Sequence, residues 1–310
     1  MSLEEYLKSG EYQTMYQERL SDSGWVLGDE RLLGLKEKIE RVGKPLKEWD
    51  VRIYFGIVTG CNRVFVIDTE TRDRILASCR NEEERRRTEE IIKPVLRGRD
   101  IKRWRYEWAG LWMILSTKHV INSCLLNYLK EYRGVLEKRA GKQEWYEIQS
   151  VPSKEKLDLL LMDKIGYSDI GLRFAFVPSG IVGLNTIYFI VPYGEGRERI
   201  LLYLLGLLNS RLIMFYYQNI AQVLSTKTTR GFSMYVERIP LPQITKENHH
   251  FADQLVQRVD EILMLTQLDV YDVDFEKQRR VRELEKEIDE LVYELYGLTE
   301  EEIELVEGSV

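Results

Sequence analysis

The stretch KPVLRGRDIKRWRYEW, residues 93–108, sets six basic side chains against the single acid Asp100 between Lys93 and Arg105, and interleaves Trp104, Tyr106 and Trp108 with them. An arginine can fork onto a guanine edge or a phosphate, and a lysine neutralises phosphate as a point charge. Arg97, Arg99, Lys102 and Arg103 are therefore candidate contacts to a polyanion, and Gly98 would let the backbone approach a phosphate oxygen. The aromatic residues have two readings, bases stacked on their rings or core positions on alternate sides of a strand. A second basic loop, STKTTRG at 225–231, offers Lys227, Thr228 and Arg230. A third stretch, GIVTGCNRVFVID at 56–68, leads through Gly56 and Gly60 into a polar tip, Cys61-Asn62-Arg63, and then into apolar Val64 to Ile67.

Residues suited to covalent or proton chemistry are sparse. GEGRER at 194–199 lacks the third glycine and the strand-to-helix setting of a dinucleotide loop, and neither a P-loop nor a metalloprotease helix motif occurs. The histidines are His119, His249 and His250, and adjacent side chains on a helix diverge, so the last two cannot face one ligand. Asp100-x-Lys102 has the spacing of an acid–lysine pair in a metal-dependent nuclease acting on DNA, an alternative that needs further carboxylates to hold a divalent ion. Cys61, Cys79 and Cys124 lack the paired spacing of a zinc site or a disulfide framework, which predicts a reduced, cytoplasmic protein.

The net charge of −6 hides a division. Residues 245–310 hold 7 Lys and Arg against 19 Asp and Glu, a net of −12, which leaves +6 on the other 244 residues. Such asymmetry is expected when one part meets a polyanion and the other does not. An acidic segment cannot itself neutralise phosphate. Hydrophobic residues at 44% and charged residues at 31% fit a globular chain, and a length of 310 suggests two domains. No apolar run reaches the roughly 18 to 20 residues that span a bilayer, so no membrane partner is expected. The acidic N-terminus is not a secretory signal.

The elements that would position these residues follow from periodicity and caps. DERLLGLKEKIERVG at 29–43 predicts a helix stopped by Gly43, and NEEERRRTEEII at 81–92 a helix capped by Asn81. Strands are predicted at Ile53 to Val58, Val64 to Ile67, 111–116, and within 172–192 on either side of Pro178-Ser179-Gly180. Residues 200–221 read as one apolar helix. Helices at 249–266 and through Val281, Leu284, Ile288, Leu291 and Leu295 predict an antiparallel pair with a solvated acidic face.

Five stretches in order carry a family resemblance: GIVTGCNRVFVID, IIKPVLRGRDIKRW at 91–104, WYEIQS at 145–150, LLGLLNSRLIMFYYQ at 204–218 and IPLP at 239–242. Over residues 46–245 the chain resembles the TaqI-like C-terminal specificity domain, the target recognition domain of adenine-methylating type II and type IIG restriction-modification enzymes. The LLNS helix and IPLP strand also resemble type I specificity subunits. The resemblance implies an α+β fold, a mixed-sheet target recognition domain with packed helices followed by a C-terminal antiparallel helical pair. Its divisions would be a helical linker at 1–45, the recognition domain at 46–244 and an acidic helical segment at 245–310. It implies sequence-specific recognition of double-stranded DNA on behalf of a methyltransferase catalytic domain or subunit, and in some enzymes of a fused nuclease. The Pro-Pro-aromatic motif of amino methyltransferases is absent here. The chain is thus expected to have no activity alone, with no cofactor of its own and S-adenosylmethionine held by the partner. Gly56 and Gly60 would shape the first hairpin of the domain, with Thr59, Asn62 and Arg63 placed to reach DNA.

Overall fold

Leu35 and Ile39, one helical turn apart, face the interior from helix α1 (Glu30–Val42), the first element of the computed structural model, which describes residues 30–118, 121–150, 152–168, 171–224, 233–268 and 270–308. The helix stops where expected, and the residue after it must be glycine, because a Cβ at Gly43 would run into the Pro240 carbonyl. Strand β1 (Lys44–Pro45) then pairs with β10 (Pro240–Leu241), the IPLP segment.

Two four-stranded sheets follow. The first has the order β2 (Val51–Phe55), β9 (Ile187–Pro192), β6 (Lys164–Ser168), β7 (Phe174–Val177) and is antiparallel throughout. The second, β3 (Val66–Asp68), β5 (Leu111–Ile114), β4 (Ile92–Leu96), β8 (Val182–Gly183), is mixed, since β4 and β8 run parallel. Around it pack α2 (Asn62–Phe65), α3 (Thr69–Ala77), α4 (Glu82–Ile91), α5 (Ser123–Lys130), α6 (Arg133–Leu136) and α7 (Lys154–Leu160). Asn81 does cap α4, accepting the Glu84 N–H at 2.9 Å.

Two local expectations differ from the structure. Residues Val64 to Ile67 do not form a single strand: Asn62–Phe65 is a helical turn, and β3 begins only at Val66. The turn at Gly56–Gly60 does not join a hairpin either. β2 pairs with β9 and β3 pairs with β5, so the turn carries the chain from one sheet to the other. Its glycines answer to that crossing. A Cβ on Gly56 would strike the Leu184 carbonyl oxygen, and Gly60 has φ +74° with Gln149 close behind it.

The expected long helix at 200–221 is two, α8 (Arg197–Asn209) and α9 (Arg211–Leu224), bent by 61°. Asn209 sits at the break: its carboxamide bonds both the N–H and the C=O of Phe174 on β7, and also the Leu205 carbonyl of its own helix, which ties the end of α8 to the sheet. Ser210 is extended and bonds the Leu207 carbonyl. No single helix among the described residues is long and apolar enough to cross a membrane, and the bent apolar pair is built into the core.

After α10 (Ser233–Val236) come the antiparallel helices α11 (His249–Thr266) and α12 (Phe275–Tyr296), and then α13 (Glu300–Glu307). The largest apolar cluster joins α1, the antiparallel sheet, α8, α9 and these three helices, with Leu204, Leu255, Val259, Leu284 and Ile288 among its members. A separate cluster lies under the mixed sheet, and a smaller one, containing Leu96, Ile101 and Phe189, lies between the sheets. The molecule is an α+β fold whose mixed and antiparallel sheets meet along the chain crossing at Gly56–Gly60.

Candidate nucleic-acid interface

The basic run begins where β4 ends. Asp100 turns back on Arg97, accepting its backbone N–H at 2.8 Å and its guanidinium at 2.7 to 3.2 Å. The carboxylate is buried, and this fork holds the Arg97 guanidinium even more firmly protonated than usual. Gly98 is required by packing, since a Cβ there would press on Ser168 and Thr186, and its N–H donates to Thr186 Oγ1 at 2.9 Å. Its N–H is thereby engaged inside the fold, although Gly98 still lines the cleft described below. Arg99 is exposed, and its guanidinium pairs with no carboxylate among the described residues. Lys102 turns aside to Glu107 at 3.2 Å.

Trp104 takes φ +72°, the only described non-glycine residue with a positive φ. For a bulky side chain this conformation is unfavourable and persists only when its surroundings fix it. The fixing contacts are visible. Trp104 N–H donates to Phe174 O, Phe176 N–H donates to Trp104 O, and the indole Nε1 donates to Glu285 at 2.7 Å. The ring is 2% exposed, so Trp104 is a core residue, while Tyr106 is half-buried and Trp108 exposed. On either side of the kink, Arg103 pairs with Glu285 at 2.9 Å and Arg105 with Asp272 at 2.6 Å. The acidic C-terminal segment is thus partly neutralised by arginines, on α12 at Glu285 and just before it at Asp272, and is not wholly solvated.

A cleft of about 710 Å³ opens beside this turn, lined by Asn62, Arg97, Arg99, Arg173, Asn185 and Thr186. An adjoining recess of about 440 Å³ shares Gly171 and Arg173 with it and adds Arg103, Asn209, Arg211 and Gln218. Among the described residues no Asp or Glu lines either recess, so the charged side chains of the wall are all arginines, set among neutral and apolar ones. Arg173 is exposed and, among the described residues, has no ion pair. Arg211 sits at the start of α9, where its N–H donates to Asp289 at 2.8 Å and its Nε lies 3.5 Å from the same carboxylate. Burial pushes Asp289 up to about 6, against the opposing pull of the Arg211 N–H.

The ten candidate residues thus separate. Asn62, Arg97 and Arg99 come together in the cleft, and Arg103 lies in the recess next to it. Arg63 is exposed one residue beyond Asn62, without an ion pair among the described residues, and does not line the cleft. Lys102 lies outside both recesses. Thr59 is 1% exposed and engaged inside the turn, which places it behind the surface instead of on it. Lys227, Thr228 and Arg230 lie outside the described residues, as does His119. Sequence reading missed Arg173, Asn185, Thr186 and Arg211. Arg173 and Arg211 stand singly before a strand and a helix, with no local cluster of charge to mark them.

The Asp100–Lys102 pair is not arranged for metal-dependent cleavage: Asp100 is closed off by Arg97, and Lys102 faces Glu107. Among the described residues no group of three His, Cys, Asp or Glu side chains is placed to hold a metal ion. Cys79 and Cys124 are free thiols in contact with each other beneath α4, and neither lines the cleft.

Residues 93–241 match the TaqI-like C-terminal specificity domain, a narrower span than the motifs suggest. The type II methyltransferase M.BanIII of Aneurinibacillus aneurinilyticus is 26% identical over 245 residues, which cover 72% of this chain and 39% of that protein. The chain therefore spans well under half the length of this curated relative. The type IIL restriction-modification enzyme MmeI, solved in complex with DNA, shares the fold at a TM-score of 0.54 and 13% identity, over 84% of this chain and 34% of MmeI. The type IIG restriction endonuclease BpuSI aligns at 0.49 and 13%, over 87% of this chain and 34% of its own. The cleft opens beside the first part of the matched segment, with Arg173 and Arg211 within it, so that residues 93–241, which match the TaqI-like C-terminal specificity domain, supply most of its wall.

Proposed function

We infer that this chain recognises a DNA target sequence for a restriction-modification methyltransferase, and that the cationic cleft is where the duplex is read. One observation carries the reading: a cleft without acids among its described lining residues, presenting Arg99 and Arg173, which have no ion pair among the described residues, beside the polar tips of Asn62, Asn185 and Thr186. Free guanidiniums supply phosphate contacts that fix register, and short polar side chains supply base-edge contacts that fix identity. The methyltransferase identity of M.BanIII and the DNA bound in the MmeI structure support this reading. The catalytic domain or subunit, which would hold S-adenosylmethionine and act on the flipped base, lies outside this chain. Work on DNA in the cytoplasm follows from the same reading.

Selection of bound duplexes from a random pool, followed by titration over a range of salt, tests it. The full chain should retain a defined sequence. Arg99→Ala and Arg173→Ala should weaken all duplexes and reduce the slope of log affinity against log salt by about one each if each holds one phosphate. Failure of the chain to retain any duplex would refute the reading. Calorimetric titration with S-adenosylmethionine should register no binding. Arg97→Ala belongs to a different class, because it strands the buried Asp100 carboxylate and should destabilise the fold by roughly 3 kcal/mol.

A further inference from the structure

We propose that Asn62 is a base-reading residue of the cleft, offering the two N–H donors of its carboxamide to an acceptor on a base edge, and that buried Thr59 positions it. This deepens the DNA-recognition reading and rests on it.

The turn that carries Asn62 is held from three directions. Arg139 Nη1 donates to Thr59 O at 2.9 Å, Gln149 N–H donates to the same carbonyl at 3.1 Å, and Ser150 N–H donates to Val58 O at 3.0 Å. Inside it, Thr59 Oγ1 accepts the Cys61 N–H at 3.1 Å and donates to Asn62 Oδ1 at 2.6 Å. These two bonds decide which way the carboxamide faces. The threonine oxygen already accepts from Cys61, so its own buried O–H needs an acceptor, and Asn62 Oδ1 supplies it. The asparagine oxygen is thereby turned back toward the turn, and the NH₂ group has no partner among the described residues. Asn62 is exposed and shares the cleft with Arg97, Arg99 and Arg173.

A side chain that presents donors selects acceptors. In the major groove these are N7 and O6 of guanine, O4 of thymine and N7 of adenine; adenine sets its N6 amino group beside N7, and that donor, like the amino group of cytosine, calls for an acceptor that Asn62 Oδ1, already engaged by Thr59, does not offer. Asn62 should accordingly specify a guanine or a thymine at one position of the target.

The test is duplex selection with the full chain and its Asn62→Ala, Asn62→Asp, Thr59→Val and Thr59→Ser variants. Asn62→Ala should erase the preference at one base pair, about ten- to a hundredfold, and leave the others intact. Asn62→Asp, which replaces donors by an acceptor, should disfavour guanine and thymine there. Thr59→Val should relax the same position although Asn62 remains, and Thr59→Ser, which keeps the hydroxyl, should restore it. Should Thr59→Val fail to fold, Thr59→Ala, which also removes the hydroxyl, takes its place, and the two exposed Asn62 variants decide the reading role in either case. Uniform weakening of all duplexes by Asn62→Ala would make Asn62 a phosphate contact and overturn the proposal, as would an unchanged preference. An unaltered preference in folded Thr59→Val would overturn the positioning role. If the unmodified chain selects no duplex, the DNA reading itself fails; if it selects one and Asn62→Ala does not alter it, only this proposal does.

Discussion

Lys164 is wholly buried on β6, its ammonium held by Met162 O at 2.9 Å above the Phe189 ring. Burial lowers its pKa to about 7, with Asp163 opposing the shift. An unfolded lysine keeps its proton to about pH 10, so between pH 7 and 10 the unfolded chain binds more protons than the native one. Stability contributed by this group should therefore rise with pH across that window, and Lys164→Met should flatten the rise in urea denaturation at pH 7 and 9.5. At the same scale, burial raises Cys124 to about 11. At pH 8 its alkylation by iodoacetamide in the native protein should be far slower than after denaturation. Nothing in the sequence marks either residue. Their character comes from neighbours brought in by other elements, as does that of Thr59, whose polarity suggested a surface role and whose hydroxyl is spent on Asn62.

Gly206 lies in the middle of α8, inside the LLGLL motif, where a glycine costs helix stability. The compensation is close packing: a Cβ there would run into Leu255 and Val259 of α11. Gly206→Ala should raise intrinsic helix propensity yet destabilise the protein by about 1 to 3 kcal/mol, read from its denaturation midpoint. Helices α1, α4, α11 and α12 were legible beforehand because caps and apolar spacing are local. The turn at Asn62–Phe65 was not, since four residues carry no periodicity. The supposed hairpin at Gly56–Gly60 failed for another reason: the partner of β2 is β9, more than 130 residues further along, and no local pattern encodes that choice. The contact that Asn209 makes at the break is likewise with Phe174, an element away.

Across the whole molecule the charge division was visible in advance, while the cleft was not. It is assembled from residues 62, 97–99, 173 and 185–186, which only the folded topology brings together. The acidic C-terminal helices also share the main core with α1 and α8. Truncation after residue 244 would remove Leu255, Val259, Leu284, Ile288 and Val292 from that core, and should abolish cooperative thermal unfolding followed by circular dichroism. One arrangement has a consequence for how the molecule would behave among vast excesses of wrong DNA. Arg103 and Arg211 face the recess with Glu285 and Asp289 already beside them, so they carry their counterions inside the chain. Cations neutralised in advance liberate no small ions from a duplex and draw little from indiscriminate electrostatic adhesion. Among the described residues that line the cleft, what remains to hold a duplex is Arg99, Arg173 and the fit of base edges, so background sticking there would fall further than site-specific binding and the search for a rare target would be less often arrested on the way.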